Sequence, residues 1–200
     1  MNRFKANIRD IRREQALKET LGQELANIII NAYEGSKDVV FVCIGTEKVA
    51  FDSFGPITGS TIKQHLQYMP NFKVYGEVRD NIDAMNAQQR IKTIKENEPN
   101  SVIIAIDALA VKNKQLIGDV LLRDTPIHPG AANNKDIEAI GDHSIVFAAC
   151  LRKEDENGQY KIDTTTGLNR KEIIKCVETV VESLEIACDH LISHMARSLF

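Results

Sequence analysis

The run Val39-Val40-Phe41-Val42-Cys43-Ile44-Gly45 decides the fold, together with its later counterpart Ser101-Val102-Ile103-Ile104-Ala105-Ile106. Both are apolar at every position. A strand that covers one face of a core alternates apolar and polar residues; one that is apolar throughout is buried on both faces, as in a parallel sheet covered by helices. Each run passes into a segment that holds an aspartate. The first leads through Thr46-Glu47-Lys48-Val49-Ala50-Phe51 to Asp52-Ser53-Phe54-Gly55-Pro56, and the second ends on Asp107-Ala108-Leu109.

Outward from these runs the chain alternates helix and strand. Leu17, Leu21, Leu25, Ile28, Ile29 and Ala32 form a helical stripe that stops at Gly35. Pro56 suits the first turn of a helix running to about residue 68. A short strand near 73–75 and a polar helix near 86–96 precede the second apolar run. Leu116–Leu122 and Ser144–Cys150 read as two more strands, and Asp155-Glu156-Asn157-Gly158-Gln159 as an exposed turn. The last helix is the best marked. Asn169 can cap it, Glu172 completes a capping box, and Leu168 can staple onto Ile173. Its stripe runs Ile173, Val177, Val180, Val181, Leu184, Cys188, Leu191, Met195 and Leu199. The pattern predicts one three-layer α/β/α sandwich with a mostly parallel central sheet over residues 1–200. Residues 1–14 are expected to be a mobile basic segment, with a solvated helix end as the plain account of its charge.

Composition excludes several classes. The chain has 200 residues, 43% hydrophobic and 26% charged, with a net charge of −3. That balance gives no bulk electrostatic drive toward nucleic acid. No apolar run reaches membrane-spanning length. The basic start is not followed by an apolar core and a small-residue cleavage site, so no signal peptide and a cytoplasmic location are expected. Cys43 and Cys150 lie in apolar strand-like runs and Cys176 and Cys188 share one helix, with no CxxC, which fits buried, reduced thiols.

In open α/β sheets ligands bind beyond the carboxyl ends of the strands, so Asp52 and Asp107 are candidates for one shared site. Two carboxylates in one cleft repel each other, which raises one pKa and separates an acid from a base. Residue by residue, alternatives stay open: Asp52 as a capping residue for the Pro56 helix, Asp107 as a turn residue. The loop at 45–56 lacks GxGxxG and GxxxxGK[ST], and an acid at the helix start repels phosphate. His190 and His194 are spaced i, i+4 without the glutamate of a metalloprotease helix. His128 and His143 lie in polar segments where either could join the aspartates.

The segment Cys43–Lys48 with Asp52–Pro56 resembles the first signature of the YyaC-like sporulation proteins, and Ala105–Ala108 the second. Pro129–Lys135 followed by Ile140–Ile145 resembles a third region. The resemblance spans about residues 39–150. That family is similar in fold to the spore germination protease and to hydrogenase maturation proteases. The resemblance implies a sporulation-associated peptidase that activates water with Asp52 and Asp107. Gly45 and Gly55 would let the loop approach an extended peptide, Thr46 and Ser53 would donate hydrogen bonds, and Glu47, Asp83 and Asn86 would complete the substrate surface. Asp83 stands where the family usually has a histidine, and Phe51 where it usually has glycine. No cofactor is expected; the alternative is a divalent metal held by Asp52, Asp107 and His128. The implied partner is a protein or peptide, such as a spore protein, in the forespore or mother cell. A non-catalytic, peptidase-like binding protein is the reading from another class, and homo-oligomerisation stays open.

Overall fold

The computed structural model describes residues 1–10, 14–69, 71–129, 137–156, 160–163 and 165–198. Seven strands and four α-helices build the three layers. They are β1 (Asn2–Asn7), α1 (Glu14–Glu34), β2 (Asp38–Cys43), α2 (Phe54–His65), β3 (Phe72–Tyr75), α3 (Ala87–Asn97), β4 (Ser101–Val111), β5 (Asp119–Arg123), β6 (His143–Glu154), β7 (Tyr160–Asp163) and α4 (Arg170–Arg197). The strand order is β1-β5-β6-β4-β2-β3, and β7 pairs with β6 beside this path. Strands β3, β2, β4 and β6 run parallel, while β5, β1 and β7 join antiparallel.

The apolar run at 39–44 is buried on both faces, as its composition requires. Val39, Phe41 and Cys43 point into a core formed with α1, α2 and α4. Val40, Val42 and Ile44 point into the other core, against α3 and the segment carrying Ile127, Ile137 and Ile140. The stripes expected on α1 and α4 are buried from Leu17 to Ala32 and from Ile173 to Leu191. Met195 is 37% exposed and so lies beyond the packed face; Leu199 lies outside the described residues. The capping box of α4 is complete. Asn169 accepts from the Lys171 and Glu172 amides, and Glu172 accepts from the Asn169 amide. The two long helices touch closely at Gly22, where a Cβ would lie 2.9 Å from the Ser183 carbonyl oxygen.

Four readings of the sequence are corrected. Residues 2–7 are an edge strand registered along β5 rather than a helix end. Only Phe4 is fully buried there, so the segment carries the charge of an exposed edge and little of a strand's apolar signal. The run at 116–122 becomes strand only at Asp119, after a tight 3₁₀ turn at Lys114–Leu116. β7 is too short and polar to stand out. Lastly, β4 does not end at Asp107: it continues to Val111 and pairs with β6 beyond the end of β2.

The connections fix where a ligand can enter. From β2 the chain passes through α2 to β3 on one side, then through α3 back to β4 on the other. Helix α2 packs into one core and α3 into the other. The strand order therefore reverses between β2 and β4, and a crevice opens at their carboxyl ends. No helix among the described residues is long and apolar enough to cross a membrane.

Candidate active site

Asp107 is the first residue of β4 past its pairing with β2, since the β2–β4 register ends at Cys43 and Ile106. Its one side neighbour is β6, at Val146. The other side faces the crevice that the end of β2 leaves open. Its Oδ1 accepts the Ala108 amide at 2.7 Å.

Asp52 reaches the same crevice from the loop after β2. Gly45 turns the chain with φ of 134°, in the region that favours glycine, and a Cβ there would lie 2.1 Å from the Asp52 carbonyl oxygen. That close approach lets one amide, Thr46 N–H, donate to both the backbone oxygen and Oδ2 of Asp52, each at 3.0 Å. Gly55 acts in the same way on the other flank: a Cβ there would meet the Ile44 carbonyl at 2.0 Å. Both glycines therefore fit the loop against β2, and Gly55 is buried away from the crevice rather than offered to a peptide. The capping alternative for Asp52 does not hold, because Ser53 occupies the cap position of α2 and its hydroxyl donates to the Ala50 carbonyl.

A cavity of about 330 Å³ joins these groups. Asp52, Asp107, Asp83, Gly45 and His128 line it, with Phe51, Leu109, Arg152 and Ile162 among its other walls. Thr46, Ser53 and Asn86 are not among its lining residues. Asn86 Oδ1 accepts the Asp83 amide, and Asn81 donates to both Asp83 Oδ2 and the Gly45 carbonyl. The loop carrying Asp83 is thus tied to the end of β2. Glu47 is exposed and lies outside the cavity. His143 leaves the site: its Nδ1 lies 2.9 Å from Asp124 Oδ1. His194 pairs with Glu34 across α4 and α1. Within the third resembling region, residues 130–136 lie outside the described residues, as do 157–159 of the expected turn.

The two carboxyls are electrostatically unequal. Burial pushes Asp52 up to about 6, with the Asp83 charge adding and the Thr46 amide opposing. Asp107 is pushed well above the carboxylate range by deeper burial, then by the Asp52 charge, against the Ala108 amide and Arg123. The Asp52 charge acts on Asp107, so the deeper Asp107 is the acid that keeps its proton longer as the pair ionises. The thiols offer no nucleophile. Burial raises Cys43, and raises Cys150 to about 11 with help from Asp52. Among the described residues no three His, Cys, Asp or Glu side chains are grouped to hold one ion.

Two arginines were missed in the sequence. Arg123, on β5, is half-buried and places a positive charge behind Asp107. Arg152, at the end of β6, lines the cavity itself. Each follows a pair of apolar residues in a strand, Leu121-Leu122 and Cys150-Leu151. A charge ending an apolar run is the signal that drew attention to Asp107, and it applies equally to them.

Fold and site together define a class: an α/β protein with an unequal carboxyl pair at the reversal point of its sheet. The chain belongs to the family described as protein of unknown function (DUF1256), which matches residues 7–183. Over 106 residues it is 37% identical to the uncharacterized protein YyaC of Bacillus subtilis (strain 168), covering 53% of this chain. The match spans half the length of that relative. A solved structure, the [NiFe] hydrogenase maturation protease HycI from Thermococcus kodakarensis KOD1, aligns over 79% of this chain and 99% of its own. The identity there is 14% and the TM-score 0.39.

Proposed function

We propose that this protein is a peptidase in which Asp52 is the general base and Asp107 the general acid. The observation that carries the reading is the unequal carboxyl pair lining one cavity, Asp52 raised to about 6 and Asp107 raised well above the ordinary carboxylate value by deeper burial and the Asp52 charge. A pair with one shared proton suits attack of water on an amide. Asp52 takes a proton from water as its oxygen bonds to the peptide carbonyl carbon. Asp107 gives its proton to the carbonyl oxygen, so a neutral tetrahedral diol forms. Asp52 then passes its proton to the amide nitrogen, the C–N bond breaks, and Asp107 recovers a proton from one hydroxyl as the new carboxyl forms. One water is consumed and both residues return to their starting states.

The setting supports this division of work. Gly45 and the bifurcated Thr46 amide hold Asp52 in place, so little reorganisation is needed. Arg123 limits the rise of Asp107, which keeps its proton transferable. The resemblance to sporulation proteins points to a spore protein as substrate.

The test is hydrolysis of a peptide library by wild type, Asp52→Asn and Asp107→Asn, with circular dichroism to verify folding. Each amide should lower kcat/KM by at least about a hundredfold, the usual span of general acid or base catalysis. The double variant should be little worse than either single one, because the two residues act as a unit. Undiminished hydrolysis in either variant would remove that residue from the mechanism. Peptide binding without hydrolysis by wild type would instead favour a binding protein on this scaffold.

A further inference from the structure

Away from the aspartates the cavity wall changes sign. Beyond Leu151 the strand β6 pairs with β7, and Arg152 lies directly opposite Ile162, both lining the cavity. The Arg152 guanidinium carbon stands 4.7 Å from the centroid of the Tyr160 ring. Lys112 Nζ stands 4.7 Å from the same centroid and donates to the Tyr160 hydroxyl at 2.6 Å. Lys112 directly follows β4, whose last registered pair is Val111 with Leu151. Two cations from neighbouring strands thus meet on one aromatic ring.

Neither cation is paired with an acid among the described residues. The other two lysines of the hairpin have acids: Lys153 pairs with Asp163 at 2.7 Å and Lys161 with Asp155 at 3.0 Å. Among the described residues no carboxylate pairs with Arg152 or Lys112, and the buried Arg152 Nε has no hydrogen-bond partner.. A desolvated guanidinium donor without an acceptor is unfavourable, and a guanidinium fork matches a carboxylate in shape and charge. Arg152 at the wall of a cavity whose floor is acidic, with Lys112 beside it across the Tyr160 ring, would also orient a peptide, since an acidic group there is repelled by one end and held by the other.

We propose that Arg152 and Lys112, braced by Tyr160, form a subsite that binds a carboxylate of the substrate peptide. The proposal deepens the peptidase reading and rests on it. Asp107 and Lys112 are five residue steps apart along and just past β4, a rise of about 16 Å. The carboxylate would therefore lie within about five extended residues of the bond that is cut. It can come from a peptide C-terminus or from an Asp or Glu side chain.

The experiment uses fluorescently labelled random decapeptide libraries in three forms: C-terminal acid without Asp or Glu, C-terminal amide without Asp or Glu, and C-terminal amide with one Glu. Anisotropy gives binding and mass spectrometry gives cleavage, on the full chain. Wild type should bind at least one carboxylate form about tenfold more tightly than the plain amide, and which form it prefers identifies the source. Arg152→Gln and Lys112→Gln should each bring that form down toward the plain amide, and Arg152→Lys should retain part of the preference. A preference that survives Arg152→Gln, equal binding of all three forms, or no measurable binding of any form would overturn the subsite. Carboxylate preference without cleavage would leave the subsite standing and sink the peptidase reading. Cleavage without carboxylate preference would do the reverse.

Discussion

At Asp52 and Asp107 function and stability pull in opposite directions. A carboxyl raised by burial binds its proton more tightly in the folded state than in the unfolded chain. Stability is therefore complete at low pH, where both states are protonated. It falls as pH rises through the ordinary carboxylate range, where the unfolded chain alone ionises, and levels off for Asp52 above its folded value of about 6. A rise of that size is worth on the order of 3 kcal/mol at neutral pH, and Asp107 adds a loss that continues to higher pH. Asp52→Asn should therefore make the protein more stable at pH 7, by up to that amount, and leave it unchanged near pH 3. The amide oxygen can still accept the Thr46 N–H. Urea unfolding of both proteins across pH 3–8 measures this directly. A variant no more stable than wild type at pH 7 would mean that the carboxyl is well solvated and unsuited to its proposed role.

Among the elements, those legible in the sequence carry their burial in their own pattern. The apolar runs at 39–44 and 101–106, the stripe of α1, that of α4 as far as Leu191, and the capping box at Asn169 appear as read. What escaped depends on partners far along the chain. β1 is a strand because β5 offers an edge to Asn2–Asn7, and β7 because β6 overruns the sheet. Asp107 was recognisable as a buried acid, but its mid-strand position follows from where β2 stops. Gly45 and Gly55 were recognisable as special; the atoms that fill their missing side chains, Asp52 and Ile44, were not. Gly22 gave no signal, since its role depends on α4 crossing at Ser183 and Ile186. Gly22→Ala should force these helices apart and cost about 1–3 kcal/mol, read as a lowered urea midpoint with peptide cleavage retained in the folded fraction. Gly45→Ala should behave differently. Its φ of 134° and the 2.1 Å approach to Asp52 displace the base itself, so cleavage should fall far more than the about 2–4 kcal/mol of stability suggests. Equal effects of the two variants on activity would argue against the loop geometry.

For the whole molecule, the sheet reversal between β2 and β4 makes one protein of two otherwise separate acids. Asp52 follows β2 and Asp107 lies on β4, and only the closed fold brings both to one cavity. Burial in that cavity sets their order of titration, so the pH profile of hydrolysis is a property of the fold. kcat/KM should rise through about pH 6 as Asp52 becomes a base, since that is its folded value. It should fall again at higher pH as Asp107 loses the proton it must donate. The two limbs belong to the pair, so a change at one acid must move the other. In Asp107→Asn the residual activity should lose its alkaline limb, and its acid limb should shift only slightly. In Asp52→Asn the alkaline limb should move to lower pH, because the charge that helps Asp107 hold its proton is gone. Initial rates on one cleaved peptide from pH 4 to 10, for wild type and both variants, give all three profiles. A flat profile, or limbs that stay in place in both variants, would show that the two carboxyls do not share the reaction.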